Sequence, residues 1–159
     1  MPSRDERLAA IQARIAVLEK QRTNDVDKFN RIMRELVELK GQEALLLTKK
    51  TVIDGFERIM TRTPIDTGRA LASWQFDVDK DPKGEVPPGD YKGNISQHIQ
   101  EETDKVRTAP PGVWYFSNHL DYIEALEAGW SKQQPAGMVG LTLHEMQREL
   151  EAAARKFEE

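Results

Sequence analysis

Residues 3–46 decide the fold of the N-terminal part of the chain: SRDERLAAIQARIAVLEKQRTNDVDKFNRIMRELVELKGQEALL. Twelve positions in this stretch, at alternating three- and four-residue spacing, form an unbroken heptad pattern, and nine of them are apolar. Such spacing is typical of a coiled-coil seam or of a helix packed along a neighbour. Ser3 followed by Glu6 is a capping-box pattern that predicts the helix start. The twelve positions are Leu8, Ile11, Ile15, Leu18, Arg22, Asp25, Phe29, Ile32, Leu36, Leu39, Glu43 and Leu46.

The pattern leaves two arrangements open for residues 1–62. The polar pair Arg22 and Asp25 interrupts the seam, beside a Thr-Asn dipeptide of the kind found at helix caps. One arrangement is a single long helix, and the other is a helical hairpin bent near residues 22–26. We favour the break, because Thr, Asn and Asp are poor residues for a helix interior.

The second half of this helix has a different pattern. Val52, Phe56 and Ile59 form a wider apolar face, which predicts that this part belongs to a globular core. Thr63-Pro64 ends the helix, because the residue before a proline avoids the helical region. We therefore divide the chain into a helical arm, residues 1–39, and an α+β domain, residues 40–159.

The rest of the chain predicts short strands and helices. Residues 70–79 alternate and predict a half-buried strand with Trp74, Phe76 and Val78 facing inward. The apolar run 113–116 predicts a central strand. Helices are predicted over 94–108, 122–128 and 139–158, the last with apolar candidates Leu141, Leu143, Met146, Leu150, Ala153, Ala154 and Phe157. The fold class is α+β: a long N-terminal helix or helical hairpin, a small antiparallel β-sheet and a C-terminal helix.

Composition and charge exclude several classes of protein. The 159 residues include no cysteine, which excludes disulfides and thiol catalysis. We expect no transmembrane helix and no secretory signal, since the sequence has no apolar run of suitable length. Residues 1–62 carry 13 basic and 10 acidic side chains (net +3), and residues 63–159 carry 10 and 17 (net −7). This balance disfavours nucleic-acid binding by the whole protein, but it lets one subunit's N-terminal half attract another's C-terminal half.

The histidines and aspartates do not form a convincing metal or catalytic site. His98 near Glu101 and Glu102 is typical of a solvated helix face, and His119 near Asp121 of a surface turn. Neither a serine-nucleophile motif nor a phosphate-binding glycine loop is present. We therefore expect no enzyme and no cofactor. The alternating Asp77, Asp79 and Asp81 lack the glycine and glutamate of a calcium loop and are interpreted as the polar end of a strand.

Aromatic residues cluster in the two predicted strands. No Lys or Arg separates them, so core packing is favoured over stacking on nucleic-acid bases. These residues are Trp74, Trp114, Tyr115 and Phe116.

Two further segments carry a more specific pattern. Residues 62–74 read RTPIDTGRALASW, and residues 117–142 read SNHLDYIEALEAGWSKQQPAGMVGLT. Together they resemble the HK97 gp10-like tail-component family of long-tailed bacteriophages. Members of that family typically show P-[VI]-D-T-G-x-L-x-x-S, then N-x-x-Y-x-x-x-L-E-x-G-x-S, then Q-x-P-x-G before a closing helix. The matching residues are Pro64, Asp66, Thr67, Gly68, Leu71, Ser73, Asn118, Tyr122, Leu126, Glu127, Gly129, Ser131, Gln134, Pro135 and Gly137, with Arg69 and Trp74 as further motif candidates.

The resemblance implies a structural virion protein without catalytic, cofactor or metal sites. Such a neck or tail-completion component forms a homo-oligomeric ring, a hexamer or a dodecamer, that joins the head connector to the tail tube. The implied partners are connector or adaptor proteins and tail-tube or terminator proteins. DNA would only pass through the channel and no membrane would be involved. The protein would be made in the host cytoplasm and act in the virion.

The resemblance also implies structural roles for the motif residues. We expect Asp66 and Gly68 to fix a helix-to-strand turn. We expect Tyr122 to bury its ring and bond through its hydroxyl. Glu127 is the candidate partner of Arg69, and the loop 131–137 is a candidate docking element.

Residues 1 to about 35 fall outside the resemblance and look like an added helical arm. A second hypothesis is therefore a coiled-coil minor capsid or scaffold-like assembly protein that acts through residues 1–46. A third is a nucleic-acid-handling factor whose basic N-terminal helix contacts DNA. The interface candidates on the arm are Leu8, Ile11, Ile15, Leu18, Phe29, Ile32, Leu36 and Leu39.

Overall fold

The computed structural model describes residues 1–21 and 25–158, with side chains described through residue 155. The chain has the α+β fold expected from its sequence and divides into two compact units, Met1–Thr51 and Val52–Glu159. In chain order the elements are α1 (Arg4–Glu19), α2 (Val26–Arg62), α3 (Arg69–Ala72), β1 (Gln75–Val78), a 3-10 turn (Lys92–Asn94), α4 (Ile95–Thr108), β2 (Trp114–Ser117), α5 (Ile123–Glu127) and α6 (Val139–Glu158).

The first unit is an antiparallel helical hairpin. The Gln12 amide donates to Glu43 at 3.0 Å, and Glu19 lies 3.5 Å from the Lys40 ammonium, so α1 and α2 run in opposite directions. The predicted capping box at Ser3 is present. Asp25, which interrupts the heptad pattern, directly precedes α2, and its carboxylate accepts from the Lys28 N–H at 3.0 Å. The seam position Arg22 and the predicted cap residues 23–24 lie outside the described part of the chain.

The predicted seam packs within the hairpin. Ile15 and Leu18 are buried, at 4% and 2% exposed. Phe29 is the exception among the apolar seam positions, because 51% of its surface is exposed. The partly buried seam positions are Leu8, Ile11, Ile32, Leu36, Leu39 and Leu46.

Apolar side chains from α2, α3, α4, the sheet and the start of α6 form the core of the second unit. Its buried members fall into two groups: Ile59, Met60, Leu71, Trp74 and Met138, and Ile53, Phe76, Val106 and Ala109. Phe116 stacks between Trp74 (centroids 5.1 Å apart) and Phe56 (3.8 Å). This aromatic stack joins the end of α2 to the sheet, and such pairs add to the stability that apolar burial supplies.

The sheet is small and antiparallel, as the sequence predicts. β1 and β2 pair antiparallel, with Gln75 opposite Ser117 and Val78 opposite Trp114, and the described residues contain no third strand. The predicted central position of 113–116 is therefore wrong. Trp114 and Phe116 alternate inward, but Tyr115, predicted to be core, is 37% exposed on the other face.

Two further predictions need correction. Residues 69–72 form helix α3 instead of the start of the predicted strand, because Gly68 takes a positive φ of 80° and lets the chain turn into a helix. In α6 the exposed fractions of Leu143 and Leu150 are 57% and 58%, so neither is a core residue. Ala153 and Ala154 are also exposed, and the side chain of Phe157 lies outside the described ones.

Candidate functional site

The two motif segments, residues 62–74 and 117–142, meet at one corner of the second unit. The Gln133 side chain forms a pair of hydrogen bonds with the Ile65 backbone: its Oε1 accepts from the N–H at 2.8 Å, and its Nε2 donates to the carbonyl at 2.9 Å. The sequence match points to the adjacent Gln134, and only geometry reveals the role of Gln133. This pair ties the loop after α5 to the loop after α2.

Asn118 makes a second connection between the motif segments. Its side-chain amide donates to the Ala70 carbonyl at 2.8 Å, and its Oδ1 accepts from the Leu120 N–H at 3.2 Å. Trp74 fixes the first segment internally, since its indole N–H donates to the Thr63 hydroxyl at 2.9 Å. These motif residues bond the polar groups of buried or half-buried backbone, which would otherwise be costly to desolvate.

The sequence predicted an ion pair between Glu127 and Arg69, but the two side chains have other partners. The Glu127 carboxylate accepts three bonds of 2.9 Å, from the backbone N–H groups of Met138, Val139 and Gly140 at the start of α6. Arg69 points elsewhere: its Nε donates to the Val86 carbonyl at 2.9 Å, and its guanidinium lies 3.8 Å from Glu85.

The position of Glu127 explains how α6 begins. The residue before α6 is Met138, whose side chain cannot cap a helix, so a carboxylate from α5 satisfies the N–H groups that the helix leaves free. A negative charge at this end also favours the helix dipole. Partial burial raises the pKa of Glu127, the three N–H donors lower it, and the net pKa lies below its ordinary value of 4.5.

Glycines permit the close approach of the chain segments at this corner. Gly137 has a φ of 78°, and a side chain there would lie 2.5 Å from the Glu127 carbonyl oxygen. Gly129 has a φ of 90°, and a side chain there would lie 2.3 Å from the carbonyl oxygen of Pro135. Both motif glycines are therefore required for two reasons: each has a positive φ, and each lies too close to neighbouring backbone to carry a side chain.

The turn after α2 is made differently from the prediction. Asp66 is exposed, and the Thr67 hydroxyl accepts the bond from the Arg69 N–H at 3.3 Å. Gly68 is required as predicted, since it takes a positive φ and a side chain would lie 3.1 Å from the Tyr91 backbone. Pro64 is buried at the start of the turn.

Tyr122 also differs from the prediction. The residue is 37% exposed, and the described residues include no hydrogen-bond partner for its hydroxyl. It lines a surface cavity of about 260 Å³ between the two motif segments. The cavity is lined by Pro64, Asp66, Thr67, Gly68, Arg69, Ala70, Tyr122, Leu126, Ser131 and Gln133.

Arginines at the end of α2 fasten α6 to the same corner. Arg62 donates to the Thr142 hydroxyl at 2.9 Å and to both oxygens of Glu145 at 2.9 and 2.7 Å. Arg58 lies one turn earlier and bonds Glu149 at 2.9 Å. Arg58 and Arg62 are four residues apart, as are Glu145 and Glu149, so each pair shares one face of its helix. The sequence alone does not reveal that these two faces meet.

The histidines form individual contacts. His98 lies 2.8 Å from the Trp74 carbonyl oxygen, and His119 lies 3.0 Å from Asp81, not beside Asp121. The Asp81 carboxylate also accepts from the Ser117 hydroxyl, and that bond followed by the His119 contact lowers the pKa of Asp81. Among the side chains of residues 1–21 and 25–155, no group of three or more His, Asp or Glu is arranged to hold a metal ion.

Comparison with known proteins does not assign the chain to a family. No family model, no curated protein and no solved structure matches it. In the part of the chain that the structure describes, no helix is long and apolar enough to cross a membrane.

Proposed function

We propose that this chain is a structural protein of a long-tailed bacteriophage virion, a neck or tail-completion component. Its copies would form a ring, a hexamer or a dodecamer, between the head connector and the tail tube. The supporting observation is that both segments of the family resemblance meet at one corner, where their polar residues bond backbone groups. Hydrogen bonds of this kind keep the surface formed by the two segments in one conformation, as a subunit interface requires.

The docking element in this proposal is the loop 131–137 together with the adjoining Gly129 and Trp130. Two contacts hold it in place: Gly129 lies against Pro135, and Gln133 bonds the Ile65 backbone. Trp130 projects from it with 81% of its surface exposed. An exposed tryptophan on a fixed loop is typical of a residue that becomes buried at a protein–protein interface.

The charge distribution also supports a ring through which DNA passes. The net −7 of residues 63–159 repels phosphates, so a channel wall formed by this part would not retain the DNA. DNA is then cargo in the channel and not a bound ligand.

Genetic complementation with a tryptophan variant tests the proposal. Particles produced with Trp130→Ala are expected to accumulate as separate heads and tails. The matched control is Val113→Ala, which shortens another apolar residue that is 60% exposed in the second unit. Mass spectrometry of purified particles supplies the decisive readout, because absence of the chain from mature virions would overturn the proposal. Normal particles with Trp130→Ala would remove the docking role of the loop.

One observation favours the alternative, a coiled-coil minor capsid or scaffold-like protein that acts through its N-terminal helices. Apolar side chains remain exposed on the hairpin, including Phe29 at 51% and Val37 at 69%. A chain lacking residues 1–35 distinguishes the two functions. Normal particle assembly with the truncated chain favours the neck protein, and failed capsid assembly favours the alternative.

A further inference from the structure

Helix α2 carries a second row of exposed side chains beside the seam that packs on α1. The exposed fractions are 69% for Val26, 51% for Phe29, 42% for Met33, 69% for Val37 and 43% for Leu47. With Lys40 and Ala44 placed between Val37 and Leu47, successive members are three or four residues apart and share one face of the helix over about three heptads. We call this row the outer stripe: Val26, Phe29, Met33, Val37, Lys40, Ala44 and Leu47.

We propose that the outer stripe binds the outer stripe of a second copy of this chain, with the two α2 helices antiparallel. Reversal about a point between Leu36 and Val37 exchanges six of the seven stripe positions in pairs and leaves the seventh, Val37, beside the centre. Val26 then falls on Leu47, Phe29 on Ala44, and Met33 on Lys40. This proposal is independent of the function proposed above.

The facing pairs complement each other in size. The large Phe29 meets the small Ala44, which leaves room for the ring between the two helices. Lys40 meets Met33, so its aliphatic stem can cover an apolar side chain while the ammonium reaches water. A parallel pairing in register would instead place Lys40 against Lys40 of the other copy, where like charges repel.

The charge of this face also suits a second copy of itself. Lys40 is the charged member of the outer stripe, and it lies 3.5 Å from Glu19 of α1, so the pair carries no net charge. The other members of the stripe are uncharged, and a stripe without net charge does not select a strongly charged partner.

A cavity at one end of the stripe provides a place for a partner side chain. It measures about 350 Å³ and is lined by Leu18, Phe29, Ile32, Met33 and Leu36, among others. In the antiparallel pairing, Ala44 and Leu47 of the second copy approach this end of α2. Leu47, which is 43% exposed in the free chain, is the side chain that would enter the cavity.

Sedimentation of the full chain over a range of concentrations tests the pairing. We expect a reversible association that Val37→Lys weakens, because the variant places two unpaired ammonium groups together at the centre. The dissociation constant should rise on the order of 100-fold. Gln42→Lys is the matched control: it makes the same charge change at an exposed α2 position outside the stripe and should leave association unchanged. Circular dichroism checks that both variants keep their helix content.

Cysteine cross-linking distinguishes the orientation, since the natural chain has no cysteine. On oxidation, Val37→Cys should form a disulfide-linked dimer with itself. Val26→Cys should do so only when mixed with Leu47→Cys. A chain that is monomeric at every soluble concentration, an association unaffected by Val37→Lys, or a Val26→Cys variant that links to itself would each overturn the proposal.

Discussion

The start of α6 depends on a carboxylate from another helix, and replacing Glu127 tests this dependence. Three bonds of 2.9 Å join Glu127 to the backbone N–H groups of Met138, Val139 and Gly140. Loss of a helix cap and of a favourable charge at the helix N-terminus together predict that Glu127→Ala lowers the free energy of unfolding by about 2 kcal/mol. Glu127→Gln keeps one acceptor oxygen and should cost about half as much.

The effect of pH provides an independent check on the same contact. The pKa of Glu127 is lower in the folded chain than its ordinary value of 4.5. The ionised group therefore contributes stability above about that pH, and the contribution is lost as the pH falls through the folded pKa. Stability of the natural chain should decline in this acidic window relative to that of Glu127→Gln.

Urea unfolding followed by circular dichroism measures both effects. The matched control is Glu124→Gln, which removes an exposed carboxylate from the same short helix and should change stability by about 0.3 kcal/mol. Hydrogen exchange at the Val139 and Gly140 amides should accelerate in Glu127→Ala. If both Glu127 variants unfold like the Glu124 control, the carboxylate does not cap α6 and the reasoning is refuted.

Three further substitutions probe the same corner. Gly137→Ala should destabilise the chain by about 2 kcal/mol or more in thermal denaturation, because it places a side chain at a residue with positive φ. The control Gly93→Ala adds a side chain in open space and should not destabilise the chain. Equal melting temperatures for the two variants would contradict this prediction. Trp74→Phe should cost about 1–2 kcal/mol in urea unfolding, since the Thr63 hydroxyl loses its donor, and a loss no greater than that of Trp114→Phe would argue against it. Gln133→Ala should speed hydrogen exchange at the Ile65 amide while Gln134→Ala does not, and an unchanged rate in both would remove the proposed tie.

The sequence predicted the elements that have a strong local signal. Ser3 and Glu6 form the expected capping box, and α4, α5 and α6 lie close to their predicted ranges. Each of these depends on caps and periodicity within a short stretch. Ile15 and Leu18 are buried as the heptad pattern requires, because the break before α2 lets the same chain supply both helices of the seam.

The errors came from contacts between segments distant in sequence. Glu127 and Arg69 have complementary charges, but the unpaired N–H groups at the start of α6 attract the carboxylate, and nothing local reveals them. Leu143 and Leu150 fit an apolar helix face, yet the core contacts another side of α6. Residues 70–72 alternate like a strand, but the positive φ of Gly68 turns the chain into α3.

Imaging of intact phage particles that contain this chain tests the central claim most directly. Electron cryomicroscopy should show a closed ring between head and tail, and the corner formed by residues 62–74 and 117–142 should fit the density of each subunit. Trp130 should be buried against a neighbouring protein in that density. A complete neck in which no density fits this chain, in particles from which the chain is also absent by mass spectrometry, would contradict the account.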